Sequence, residues 1–152
     1  MIADQSEVKT NGMAVLEVNP RVSLLTLATV KALRGCTTDA VKRDVESGKL
    51  LWVFDFSISK NAPDTRSAAL RVWFIELLQR PGVKQLSLEN VIEQILPPTR
   101  ARYTAADFCV KFSTNKITLM DLRRQFKWAV GFVTRDQLVG FLQERWIGGI
   151  GQ

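Results

Sequence analysis

Histidine is absent from this 152-residue chain. Its absence removes the commonest general base and the commonest metal ligand, and with them every Ser-His or Cys-His nucleophile. The two cysteines, Cys36 and Cys109, sit at no metal-ligand spacing and are too few for a secreted disulfide scaffold. Each is expected to be a small core residue rather than a reactive thiol. No glycine-rich phosphate loop occurs, and Gly148, Gly149 and Gly151 fall in a tail. Long apolar runs are missing, so no segment is expected to span a bilayer, and the N-terminus lacks the basic-then-apolar layout of a signal peptide. A cytoplasmic protein without a membrane partner is expected, nucleoid-associated if it binds DNA.

What remains is an apolar, basic chain. Hydrophobic residues make up 46% and include four tryptophans, enough for one domain or for two small ones that share a core. Net charge is +6, unevenly placed. Residues 1–76 carry 10 basic against 9 acidic side chains, and residues 77–152 carry 11 against 6. Most of the excess lies between Arg100 and Arg135. Such a surface attracts phosphate by counterion release, without reading sequence; a merely solvated basic face is the alternative.

The stretch YTAADFCVKFSTNKITLMDLRRQFKWAVGFVTRDQLVGFLQER, residues 103–145, carries the strongest pattern. Thr104 can cap a helix whose apolar stripe holds Phe108, Cys109 and Phe112. The polar turn STNK follows. Ile117, Leu119, Met120 and Leu122 then form a second apolar face, leaving Lys116, Thr118, Arg123 and Arg124 outside. Two short helices at a sharp angle, the second basic, form the shape that enters a DNA major groove. The ending VTRDQLVGFLQER resembles the last helix of excisionase-like and MerR-like DNA-binding domains, where a hydroxyl, acidic, Leu, aromatic-Leu pattern folds back on the helix-turn-helix.

The same order of parts occurs earlier. Residues 27–33 read as a first helix, 34–38 as a turn, and 39–47 as a second helix with Val41 and Val45 inward and Gly48 placed to end it. This too is similar to a recognition helix of that superfamily, and a strand follows it. The resemblance implies an α+β fold, mainly α with a small β-hairpin wing, built of tandem winged helix-turn-helix units. An arm would cover residues 1–20, a first winged unit 21–82, and a second helix-turn-helix unit with reduced wing 83–150. The segment KLLWVFDFSIS is strand-like, with Leu50, Trp52, Phe54, Phe56 and Ile58 on one face. KNAPDTRS is a turn and ALRVWF a returning strand, so Lys60, Asn61 and Arg66 become wing-tip contacts to phosphate or minor groove. The same hairpin could equally do no more than complete the core. Ser87 caps a helix with Val91, Ile92, Ile95 and Leu96 in a stripe that joins the two units, and Pro97-Pro98 stop it. Only seven residues separate Gln125 from Val133, too few for a full second wing.

Catalytic motifs are nearly absent. Ser57 to Lys60 match the Ser-x-x-Lys of penicillin-binding enzymes, but that motif belongs at a helix start and this one ends a strand. Tyr103, the single tyrosine, lacks the Arg/His constellation of a tyrosine recombinase and reads as a hydrophobic staple before a capped helix. Trp52, Trp73, Trp128 and Trp146 can stack on single-stranded bases, but beside Val, Phe and Leu they are expected in the core. No enzyme, metal site or cofactor is expected. The expected partner is double-stranded DNA, with the recombination directionality factors and small regulators of mobile elements as the kin the resemblance implies; a recombinase or another protein is a further partner. Candidate contacts are Thr37, Thr38, Lys42 and Arg43 on the first recognition helix, and Thr114, Asn115, Lys116, Thr118, Arg123 and Arg124 on the second. Arg100 and Arg102 are placed for backbone phosphates. A protein-interaction module on a winged-helix scaffold is the alternative, since Asp39, Asp44 and Glu46 make the first recognition helix nearly neutral. An RNA or single-strand binder rests on charge alone.

Overall fold

A computed structural model describes residues 21–58 and 68–148. The expected arm over 1–20 and the wing-tip residues Lys60, Asn61 and Arg66 lie outside the described residues. The chain runs β1 (Leu24–Thr26), α1 (Leu27–Arg34), α2 (Thr38–Glu46), β2 (Val53–Asp55), β3 (Leu70–Trp73) and α3 (Phe74–Leu77). After a 3-10 turn (Val83–Gln85) come α4 (Leu88–Ile95), β4 (Arg102–Thr104), α5 (Ala105–Lys111), α6 (Lys116–Phe126), β5 (Phe132–Thr134) and α7 (Arg135–Arg145). Among the described residues this is an α+β fold of seven α-helices and two small antiparallel sheets.

Four strands turn directly into helices, three of them at a threonine and β3 at Trp73. Thr26, Thr104 and Thr134 end β1, β4 and β5, and their hydroxyls accept from the backbone N–H three residues on. An extended N-cap residue satisfies one orphan donor of the first turn, so a hydroxyl there ends a strand and starts a helix together. Thr104 with Asp107, and Thr134 with Gln137, close reciprocal capping boxes. The layout strand, helix, turn, helix, strand thus occurs twice, as β1–α1–α2–β2 and as β4–α5–α6–β5.

The larger sheet has the order β1-β3-β2, with β3 antiparallel to both neighbours. Its side chains alternate between two buried faces. Leu25, Val53, Leu70 and Val72 pack with Leu27, Val30, Val41 and Leu50 beneath the first helix pair. Leu24, Phe54 and Trp73 join Trp52, Phe56 and the apolar side chains of α4 to α7 on the other face. The expected one-sided strand is therefore corrected: Leu50 joins the first cluster, Ile58 is exposed, and both faces of β2 are covered. A sheet with helices on both sides buries consecutive residues instead of alternate ones.

The two halves share one core. Val91, Ile92, Ile95 and Leu96 of the α4 stripe belong to the same buried cluster as Trp52, Phe54 and Leu142. Polar contacts bind the halves further. Buried Arg71 on β3 donates through Nε to the Phe112 carbonyl at 3.0 Å, and burial lowers its pKa. Buried Arg145 on α7 donates to the carbonyls of Asp55 (3.1 Å) and Ser57 (2.6 Å). Trp146 stacks on Trp52 with ring centroids 5.1 Å apart. Trp73 is buried and Trp128 nearly so, and all four tryptophans pack in or against this cluster. Cys36 and Cys109 are free and only half-buried, where a buried position was expected.

No wing hairpin follows α6 among the described residues. β5 pairs instead with β4, Arg102 opposite Thr134 and Thr104 opposite Phe132, and this short ribbon leads into α7.

Candidate nucleic-acid interface

The second helix pair is joined tightly. Ser113 takes a left-handed backbone (φ 51°), and the Thr114 N–H donates to the Cys109 carbonyl at 2.9 Å. Asn115 then caps α6, its Oδ1 accepting from the Thr118 N–H at 2.8 Å. Phe108 and Phe112 from α5 meet Leu119 and Leu122 from α6 in the core.

The outward face of α6 differs from the expected one. Leu119, Leu122 and Phe126, spaced by three and four, take the inner face alone. Ile117 and Met120, expected inside, are 72% and 53% exposed. They share the open surface with Lys116 and Arg124, giving a stripe Lys116–Ile117–Met120–Arg124. Further along, Lys127, Val130 (87% exposed) and Phe132 are also open, and the Arg102 guanidinium lies 4.8 Å from the Phe132 ring centroid.

Cations on this half divide into those already spent and those left over. Arg100 is spent: it pairs with Asp107, donates to the Arg102 carbonyl at 3.0 Å, and covers the Tyr103 ring at 4.5 Å. Arg21 pairs with the other Asp107 oxygen at 2.9 Å. Hydrogen bonding to Thr104, and then Arg100, holds the Asp107 carboxyl below its usual range. Lys111 donates to the Ser23 hydroxyl at 3.0 Å, and burial lowers its pKa. Arg135 donates to the Leu96 carbonyl at 2.8 Å. Arg124 meets Asp121 at 3.3 Å with its side chain 74% exposed. Arg102, Lys116 and Lys127 point positive charge to solvent with no acid partner among the described residues.

Several expected contacts are enclosed rather than offered. The Thr114 hydroxyl and the Arg123 Nε are buried with no hydrogen-bond partner, and both residues are half-buried. Tyr103 is 1% exposed, packed in the same cluster as Phe108, the staple position of α5. Burial raises the Cys109 thiol pKa, which favours the unreactive protonated form.

On the first pair, Thr37 caps α2, accepting from the Ala40 N–H at 3.1 Å, and Thr38 is exposed beside it. Lys42 and Arg43 are exposed, but so are Asp39 and Glu46, while Asp44 holds Arg34 at 2.8 Å. This face is balanced in charge.

Of the residues expected at a site, the structure gathers Asn115, Lys116, Thr118 and Arg124 on α6, with Thr37, Thr38, Lys42 and Arg43 on α2. Sequence reasoning missed Ile117, Met120, Lys127 and Val130. The signal was present in the strict spacing of Leu119, Leu122 and Phe126, which leaves no room inside for the other two apolar residues of α6. No group of three or more His, Cys, Asp or Glu among the described residues is placed to hold a metal, and no helix there is long and apolar enough to cross a membrane. No family model, curated protein or solved structure matches the chain.

Proposed function

We propose that this protein binds double-stranded DNA, with α6 as its main reading helix and α2 as a weaker second one. The observation that carries the proposal is the exposed stripe Lys116–Ile117–Met120–Arg124 on the second helix of a capped helix-turn-helix. Lys and Arg meet phosphates and release counterions. Two bare apolar side chains in the first half of that helix are costly in water and find partners in the thymine methyl groups of a major groove. The Asn115 amide and the Thr118 hydroxyl lie at the same end. In this reading the two strand–helix–turn–helix–strand layouts are tandem, divergent winged helix-turn-helix units over 21–82 and 83–150. The β2–β3 pair serves as the first wing, and the second wing is reduced to β5. The role is that of a recombination directionality factor or a transcriptional regulator of a mobile element, as in the excisionase-like and MerR-like proteins it resembles.

Fluorescence anisotropy with duplex DNA across a salt series tests this. Lys116→Gln with Arg124→Gln should weaken binding and flatten the slope of log K against log salt by about two, close to one per lost phosphate contact. A double variant with the parent's affinity and slope would remove α6 from the interface. The balanced charge of α2 favours a second reading for that helix alone, a protein-docking face, whose binding would be nearly insensitive to salt. Preference for single strands in competition would reject the duplex reading.

A further inference from the structure

Away from α6, a half-open cavity of about 410 Å³ lies where the C-terminal ends of α1, α2 and α3 meet the 3-10 turn. That volume falls within the roughly 300–1,000 Å³ of small-molecule sites. Four cations line it, Arg34, Lys49, Arg80 and Lys84, against one carboxylate, Glu76. Helix C-termini attract cations on their own, so each of the four must be accounted for. Arg34 is matched by Asp44 at 2.8 Å. Lys84 is matched by Glu76 at 3.4 Å and donates to the carbonyls of Gly48 and Lys49. Glu76 is itself consumed, accepting from the N–H groups of Leu51 at 2.6 Å and Trp52 at 2.8 Å. These bonds clamp the loop after α2 to the segment after α3. Lys49 and Arg80 are left over: they come from the two clamped segments, both are exposed, and neither has an acid partner among the described residues.

We infer that this cavity binds a small phosphorylated anion carrying two negative charges, held between Lys49 and Arg80. Two cations that line one cavity from separate segments match a phosphoryl dianion, which concentrates its charge on one tetrahedral group. The guanidinium can bind two of its oxygens and the ammonium a third. The inference does not rest on the DNA reading, because it uses no residue of α6.

Calorimetric titration of the full chain with sodium phosphate, buffered well above its second pKa so that it is a dianion, tests it. Saturable one-to-one binding is expected, with Lys49→Gln and Arg80→Gln each weakening it about tenfold or more, the loss for one charge-assisted contact. Both side chains are exposed and make no bond that holds the fold, so the variants should keep the parent Tm. The inference is overturned if phosphate shows no saturable binding at millimolar concentration, or if both variants bind it as the parent does. It is also overturned if succinate binds and phosphate does not. Duplex anisotropy on the same variants separates the source of phosphate. Unchanged DNA affinity supports a free small ligand, whereas lost DNA affinity without phosphate binding makes the cavity a backbone contact and overturns the inference.

Discussion

Asn115 carries two roles that a single substitution would confuse. Its Oδ1 is the N-cap acceptor of α6, while its amide stands beside the proposed base-reading residues. Asn115→Ala should cost about 1 kcal/mol of stability, the usual loss for an N-cap, measured by urea denaturation. Asn115→Ser keeps a capping oxygen and should hold within a few tenths of a kcal/mol of the parent. A change in base preference that appears in the Ser variant would then belong to the amide; one confined to the Ala variant would belong to the frayed helix. Asp107 is the second instructive residue. Its folded pKa lies below the ordinary carboxylate value near ~3.9, so its contribution is complete above that value and is lost as pH falls toward the folded pKa. The stability deficit of Asp107→Asn should therefore be full at neutral pH and shrink below about pH 4. A deficit independent of pH would show that the charge of Asp107, held by Thr104 and Arg100, is not what stabilises α5.

At the scale of elements, two helices end in the same backbone conformation with different residues. Gly35 closes α1 at φ 64° and ψ 39°, and Lys127 closes α6 at φ 60° and ψ 39°. Glycine enters the left-handed region without penalty, whereas a side chain pays on the order of 1 kcal/mol. Lys127→Gly should raise stability by about 0.5–1 kcal/mol, read as a higher urea midpoint at unchanged slope. The same change removes an exposed cation at the end of the proposed reading helix, so duplex affinity should fall while stability rises. A variant that gains stability and keeps full DNA affinity would place Lys127 outside the interface.

For the whole molecule, the β1-β3-β2 sheet is a partition buried on both faces, and the apolar stripe of α4 lies in the core that spans the two halves. The protein should accordingly unfold in one transition, with tryptophan fluorescence and far-ultraviolet dichroism coinciding. Ile95 is 1% exposed. Placing Asp there strands a carboxyl group in an apolar interior at a cost of several kcal/mol, a large share of the ~5–15 kcal/mol that holds a domain together. Both helix-turn-helix layouts should be lost together in Ile95→Asp. Two separated melting steps in the parent would show instead that the halves fold independently.

Local chemistry was legible in the sequence because it is complete within a few residues. Thr104 and Ser87 announced helix starts, Gly48 marked the end of α2 with a left-handed φ of 86°, and Val41, Phe108 and Leu119 fell on their inner faces by helical spacing. Tertiary structure decided whatever depended on distant segments. β4 and β5 pair across the whole α5–α6 hairpin, and that pairing uses residues the sequence offered to a reduced wing. β2 shows period-two patterning on its own, yet both its faces are covered, since a strand does not record how many layers will close over it. Ile117 and Met120 look like core residues by type, but α6 turns the face of Leu119 and Leu122 inward, which leaves the former pair in water. Composition and periodicity therefore determined where helices form and which residues are able to be buried. Packing among segments far apart in the chain decided which of them are, and so which side chains remain to meet a partner.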